Sequence, residues 1–272
     1  MLAKYIDDLA IEVGIDEAGR GPLVGRVYAS AVIWNPDSND VSGLIRDSKK
    51  LSKNQILKAK NFIESEAIAY AVAFSERSEI DKIGILNATI NTMFKCLRAL
   101  QGKIIADIEI CKIPYGKSFD RILVDGNQFN EFSISSTDSD EMPTFIEHYL
   151  IEKGDSKYLS IASASILAKY YRDNYIEKLV ELYPYLQERY RLANNKGYGT
   201  RDHINGLKKW GRSPFHRVTF NLKSQVIKEP PIPPPYLTKE KSNESNGSIG
   251  SNGNNPVVKS KKIKIKFKPK SY

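Results

Sequence analysis

Cysteine is scarce in this sequence, and long apolar runs are missing. Two cysteines, Cys96 and Cys111, in 272 residues cannot build a disulfide framework, so a reduced intracellular setting is expected. The longest uninterrupted apolar stretch, Ala67 to Phe74, is far short of the roughly 20 residues that cross a bilayer. No membrane association is therefore expected. The first residues carry Asp7 and Asp8 and no apolar core segment, which excludes a recognisable signal peptide and makes a cytoplasmic location the expectation. No internal repeat is present, and no G-x-x-x-x-G-K-[ST] phosphate loop.

What is present is ordinary for a globular protein: 41% apolar and 27% charged residues, enough for a sizeable core in one or two domains. The formal net charge is +9, which suggests an anionic partner until its distribution is considered. From Val226 onward there are ten lysines against three glutamates, a net of +7. The preceding 225 residues carry only +2. The composition changes at the same place. Lys228 to Tyr236 reads KEPPIPPPY, which supports neither a helix nor a central strand. Lys241 to Pro256 is a polar linker-like tract, and Lys259 to Tyr272 is lysine-rich. The expected organisation is a folded domain over 1–225 and a disordered basic tail over 226–272. Two readings of the tail stay open: a solubilising extension, or an arm that adds nonspecific nucleic-acid affinity. The alternation in KIKIKFK also suits a strand that presents Ile263, Ile265 and Phe267 to a partner's edge.

Within the folded part, Ile11 to Ile15, Arg26 to Trp34, Ala67 to Phe74 and Arg121 to Val124 read as strands. A helix follows Ser52, a good N-cap, to about Ser65. Ile80 to Leu100 has helical apolar spacing, Met142 to Glu152 reads as helical, and a further helix spans Ala162 to Leu182. Strands alternating with helices predict an α/β domain. Two early strands with no helix between them predict a mixed sheet.

Acidic residues fall at the ends of these strands. Asp16 and Glu17 end the first, and Asp125 ends the fourth. In an ideal strand Asp16 and Glu17 point to opposite faces, so lining one site needs a strand end or a kink, which Gly19 makes cheap. Ser165, Lys169 and Asp173 are spaced four apart and share one helical face. Hard divalent cations such as Mg²⁺ or Mn²⁺ prefer carboxylate oxygens. Each acid also has a bland reading. Asp125-Gly126 alone is a common turn, Asp16-Glu17 suits a cap, and Asp173 suits a solvated pair with Lys169 or Arg172. Spacing alone does not bring these elements together. Gly19, Gly21 and Gly25 form a G-x-G-x-x-x-G run near the dinucleotide fingerprint, but Pro22 and a strand-like run follow where that fold needs a helix N-terminus.

Five motifs together resemble the ribonuclease HII family: GIDEAGRGPLVG (Gly14 to Gly25), DSKKLS (Asp47 to Ser52), LVDGN around Asp125, GD-x₅-IASASILAKYYRD (Gly154 to Asp173), and KGYGT-x₂-H (Lys196 to His203) with GRSPFHRVTF (Gly211 to Phe220). The match runs in order over about residues 10 to 220. A type III relative would differ in the glycine-arginine-glycine segment and carry an extra N-terminal domain.

The resemblance implies an RNase H-like mixed β-sheet flanked by helices, with a C-terminal helical extension. It implies metal-binding catalytic carboxylates at Asp16, Glu17, Asp125 and Asp173, holding Mg²⁺ or Mn²⁺, two ions in the substrate complex, with Asp16 bridging them. The implied substrates are RNA–DNA hybrids and duplex DNA with embedded ribonucleotides, nicked on the 5′ side to leave a 3′-hydroxyl and a 5′-phosphate. The implied settings are ribonucleotide excision repair and DNA replication. Gly19, Arg20 and Gly21 would offer backbone contacts to the 2′-OH, which glycines permit by letting main chain approach a sugar. Tyr198 would stack on the sugar beside the junction. Lys49, Ser165 and Lys169 would contact phosphates. His203 is expected to be structural, because metal lowers the pKa of attacking water without a histidine base. A monomer is expected. The tail holds no recognisable sliding-clamp motif, so no motif supports clamp binding. Asn130 to Glu141 reads as a surface insertion that lengthens the connection before Gly154. A nonspecific basic binding module is disfavoured by the near-neutral body, and a catalytically dead relative by the presence of all four acids.

Overall fold

The computed structural model describes residues 2–3, 6, 10–35, 43–46, 48–103, 105–113, 119–134 and 142–220. All lie within one compact unit, Met1–Pro233. The expected 226–272 tail and Asp47 of the DSKKLS motif lie outside the described residues.

In chain order the elements are β1 (Glu12–Ala18), β2 (Val27–Ile33), α1 (Lys53–Glu66), β3 (Ala69–Ser75), α2 (Arg77–Ile83), α3 (Ile85–Leu100), β4 (Ile108–Lys112), β5 (Arg121–Asp125), β6 (Phe132–Ile134), β7 (Thr144–Ile151), α4 (Leu159–Leu182), α5 (Tyr185–Tyr190), α6 (Leu192–Asn195) and α7 (Arg201–Trp210). The strands form one seven-stranded sheet in the order β4-β3-β2-β1-β5-β7-β6. β1 to β4 run as an antiparallel meander, whereas β5 is parallel to both β1 and β7. The sheet is therefore mixed, as expected.

Side-chain alternation sorts the strands onto two cores. Val13, Ile15, Ala29, Ala31, Ile33, Ala71 and Ala73 pack with Met93, Cys96 and Leu97 of α3. The alanines lower this face and let α3 lie close. Tyr28, Val32, Tyr70 and Val72 face the other way, against Ile56, Ala59 and Ile63 of α1 and Ala162, Ala164 and Ile166 of α4. Ser52 caps α1 with a reciprocal box to Gln55, as its position predicts. The periodic stretch 80–100 is two helices, because Gly84 at φ 80° ends α2 and opens α3.

The N-terminal half of α4 is buried all round, from Leu159 to Ala168. Its closeness to the sheet depends on Gly14. A Cβ there would lie 2.4 Å from the backbone N of Ile161 and C of Ser160. No side chain fits, so Gly14 sets how near α4 approaches β1.

One element differs from the sequence expectation. Met142 to Glu152, read as a helix, contains strand β7. Its TFIEHYLI core is rich in β-branched and aromatic residues, and pairing decides the matter. β7 runs parallel to β5, with Arg121 opposite Glu147, and Arg121 also bonds Glu12 of β1. The Asn130 to Glu141 stretch is also more than a surface insertion. β6 pairs antiparallel with β7, and Phe132 is buried against Phe94 and Phe119. Residues 135–141 lie outside the described set.

The helices α5 to α7 pack with α4 on a separate core that includes Val24 of the glycine-rich loop. This is the expected C-terminal helical extension. No described helix is long and apolar enough to cross a membrane.

Candidate functional site

β1 and β5 are parallel neighbours, with Ile15 level with Val124. The next residues, Asp16 and Asp125, therefore lie side by side, Asp125 as the last residue of β5 and Asp16 two residues before the end of β1. Parallel strands sit about 4.8 Å apart, so the two carboxyls share one neighbourhood. Alternation turns Asp16 toward α4, the side of Gly14, and Glu17 away from it. Their juncture is tight all the same, since the Glu17 amide donates to Asp16 Oδ1 at 2.7 Å. The expected strand end or kink between the two acids is not there: β1 continues through both to Ala18.

Burial pushes the Asp16 carboxyl well above the ordinary range, and the charges of Glu17 and Asp125 push it further. A hydrogen bond with Ser165 on α4 opposes this. Burial likewise raises Glu17, offset by Arg20, whose guanidinium lies 3.4 Å from Glu17 Oε1. Burial raises Asp125, while the Gly154 amide, donating at 2.6 Å, holds it down. Asp155 raises Asp125 and Lys49 lowers it. Three like charges thus crowd one strand edge, an arrangement that a cation relieves.

Asp173 is not brought against these three acids: its contacts lie along its own helix. It pairs with Lys169 at 3.0 Å and with Arg172 at 2.9 Å, as its local spacing predicts. Among the described residues no three acidic, histidine or cysteine side chains are gathered as a metal cage. The donor set nevertheless suits a hydrated hard cation. Mg²⁺ keeps several waters and takes one or two carboxylates plus substrate phosphate rather than an all-protein cage. Lys49, Ser165 and Lys169 are each beside an acid: Asp125, Asp16 and Asp173 respectively.

A second group lies alongside the acids. Gly19 has φ 98°, a backbone shape side chains disfavour. Tyr198 lies against Gly21, its ring 3.4 Å from where a Cβ would stand, and its side chain is 49% exposed. Gly21 is exposed beside the ring, whereas Gly19 is buried. Arg172 joins this group to Asp173: it also donates to the Lys196 carbonyl, lies 5.5 Å from the Tyr198 ring centroid, and flanks Gly19.

Sequence reasoning gave no role to Arg217. It is buried, and it donates to the carbonyls of Gly19, Arg20, Pro22, Gly25 and Arg26. Burial, with Arg172 nearby, pushes its guanidinium down to about 9. The signal was the GRSPFHRVTF motif itself, but nothing local says that an arginine there reaches back to the N-terminal loop. His203 is fully buried, in line with its expected structural role.

A mixed sheet flanked by helices, with carboxylates crowded at the ends of two central parallel strands, defines an α/β protein equipped for cation-assisted phosphate chemistry. The comparisons with known proteins agree. The family model described as Ribonuclease HII matches residues 13–223. The ribonuclease HII of Bacteroides thetaiotaomicron is 40% identical over 222 residues, covering 82% of this chain and 95% of that protein. That of Caldanaerobacter subterraneus subsp. tengcongensis is 42% identical over 216 residues, covering 79% and 76%. The crystal structure of ribonuclease H2 from Pyrococcus horikoshii aligns with a TM-score of 0.53 at 22% identity, covering 77% of this chain and 93% of that one. The ribonuclease HII of Archaeoglobus fulgidus, solved as a complex with PCNA, aligns at 0.55 and 20%, covering 79% and 98%. These two likenesses show the RNase H-like fold. The chain belongs to the ribonuclease HII family, an enzyme class of metal-dependent nucleases with ribonuclease H activity on RNA–DNA hybrids.

Proposed function

We propose that this enzyme, beyond cutting the RNA strand of hybrids, nicks duplex DNA on the 5′ side of single embedded ribonucleotides, leaving a 3′-hydroxyl and a 5′-phosphate. The observation that carries this reading is the Gly21–Tyr198 contact beside the crowded acids. Only the 2′-OH separates RNA from DNA at a given sugar. Arg20 and Gly21 are exposed, and the missing side chain at Gly21 suits a close approach of a sugar to the Gly19–Arg20–Gly21 backbone, while the half-exposed Tyr198 ring suits stacking on the neighbouring sugar.

Asp16, Glu17 and Asp125, with Asp173 drawn in from its ion pairs, are the proposed ligands of two divalent ions, Mg²⁺ or Mn²⁺. When bound, such ions stabilise the attacking and leaving oxygens of an in-line displacement and activate water at neutral pH. The protein's own contribution is placement. Asp16, oriented by Ser165 and the Glu17 amide, would be a ligand held ready for such an ion. Asp125 is oriented by the Gly154 amide. Lys49, Ser165 and Lys169, each beside one of these acids, are proposed to hold phosphates. Removal of ribonucleotides during DNA repair and replication is the setting this activity suits.

The test compares one embedded ribonucleotide, a long RNA–DNA hybrid and plain DNA, each with Mg²⁺ and with Mn²⁺. Cleavage of the first two and not the third is expected. Failure to nick the embedded ribonucleotide with either metal rejects the reading.

A further inference from the structure

Two buried imidazoles at the base of the Tyr198 loop form one directed chain of hydrogen bonds. The Ser213 amide donates to Nδ1 of His216 at 2.9 Å. A backbone N–H only donates, so His216 Nδ1 is bare and its proton sits on Nε2. His216 Nε2 therefore donates across 2.9 Å to Nε2 of His203. That nitrogen must be bare in turn, which leaves the His203 proton on Nδ1. His203 Nδ1 donates to the Tyr198 carbonyl at 2.9 Å. Each link dictates the next, and a proton added to either ring would set two N–H groups against each other.

The surroundings favour the uncharged chain. Both rings are buried, and Tyr190 packs against both. Burial pushes both rings below the ordinary imidazole range. His203, Arg212 and Arg77 push His216 further down. The Arg77 guanidinium also donates to the His216 carbonyl, and the Ser213 hydroxyl sits 2.7 Å from His216 Nδ1. Among the described residues no acid bonds to either ring. One residue further on, Arg217 holds the carbonyls of the Gly19 to Arg26 loop. The segment 213–217 thus grips both sides of the Gly21–Tyr198 contact.

We propose that the His203–His216 pair is a positioning device that fixes the Tyr198 backbone, and with it the ring's place beside Gly21, so that it governs the choice of ribose over deoxyribose. Neither ring touches substrate. The proposal rests on the reading of Gly19, Arg20, Gly21 and Tyr198 as the sugar-contacting group.

Two experiments on the full-length chain test it. The first needs no variant: nitrogen-15 NMR of the histidine rings at pH 7.5. His203 protonated on Nδ1 and His216 on Nε2 is the expected pattern. The reverse tautomer at either position, or a charged ring, overturns the chain. The second is a double-mutant cycle on kcat/KM, with His203→Phe, Tyr198→Ala and both together. The substrates are an embedded ribonucleotide and a long hybrid, with Mg²⁺. His203→Phe is expected to lose about tenfold on the embedded ribonucleotide and clearly less on the hybrid, and to lose nothing further in the Tyr198→Ala background. His203→Asn, which keeps an N–H near the Nδ1 position, is expected to restore most of the discrimination. Equal losses on both substrates, or the same loss with and without Tyr198, overturn the proposal in favour of a merely structural pair. Tyr198→Ala alone reports on the underlying reading. If it leaves discrimination intact, that reading falls and the positioning role falls with it, whatever the tautomers are.

Discussion

Tyr198 lies against Gly21 at ordinary van der Waals distance, 3.4 Å from the position of an added Cβ. A methyl group there fits the protein without forcing anything aside. Gly21→Ala is therefore expected to leave Tm nearly unchanged while weakening the embedded substrate, with KM rising more than kcat falls. A large drop in Tm would show that Gly21 serves folding rather than the approach of a sugar.

The crowded acids make the metal-free protein sensitive to pH in a particular direction. The Asp16 carboxyl stands well above its unfolded value of 3.8, and Asp125 is also raised. A raised carboxyl favours the folded state below 3.8, and that advantage is lost as pH climbs through the folded value. On this account the metal-free enzyme is less stable at pH 8 than these groups alone would allow at pH 5. Mg²⁺ is expected to raise Tm more at pH 8 than at pH 5. Equal shifts at both pH values would count against ion binding at these acids.

Asp125→Asn removes one of the three repelling charges and keeps the shape. Metal-free Tm is expected to rise by a few degrees. Nicking with Mg²⁺ is expected to fall about 10²-fold or more. Near wild-type nicking would remove Asp125 from the site.

Gly14→Ala places a methyl 2.4 Å from the α4 backbone, where only the whole helix can move. A loss of about 3 kcal/mol or more is expected, at the upper end for overpacking. Urea unfolding measures it, and a change below about 1 kcal/mol would show that α4 slides freely on β1.

Arg217→Lys keeps a charge but lacks the fork that serves five carbonyls. Tm is expected to drop, and embedded-ribonucleotide cleavage to drop further than hybrid cleavage. A stable variant with unchanged discrimination would show that the loop holds its shape without the fork.

Asp16, Glu17 and Asp125 stood out because they close β-rich runs, whereas Asp173, inside α4, was singled out as a ligand only by the family resemblance, and Ser52 announced its helix by capping chemistry. β7 was not legible, because TFIEHYLI satisfies helical and strand patterns about equally and only pairing with β5 decides. β6 was missed for the same reason, being three residues long and defined by its partner. The convergence of Asp16 with Asp125 needed the parallel register of β1 and β5, which no local spacing encodes. The His203–His216 link was invisible because rings that meet end to end lie 13 positions apart, across helix and turn.

Arg217 and the Gly19 carbonyl that it holds are 198 positions apart in the chain. Synthesis proceeds from the N-terminus, and segments fold as they emerge. A nascent chain thus contains Asp16, Glu17 and Asp125 long before it contains the residue that shapes the loop beside them. Of the four proposed ligands only Asp173 waits for α4, and the proposed sugar-reading loop takes its final shape only once Arg217 has emerged.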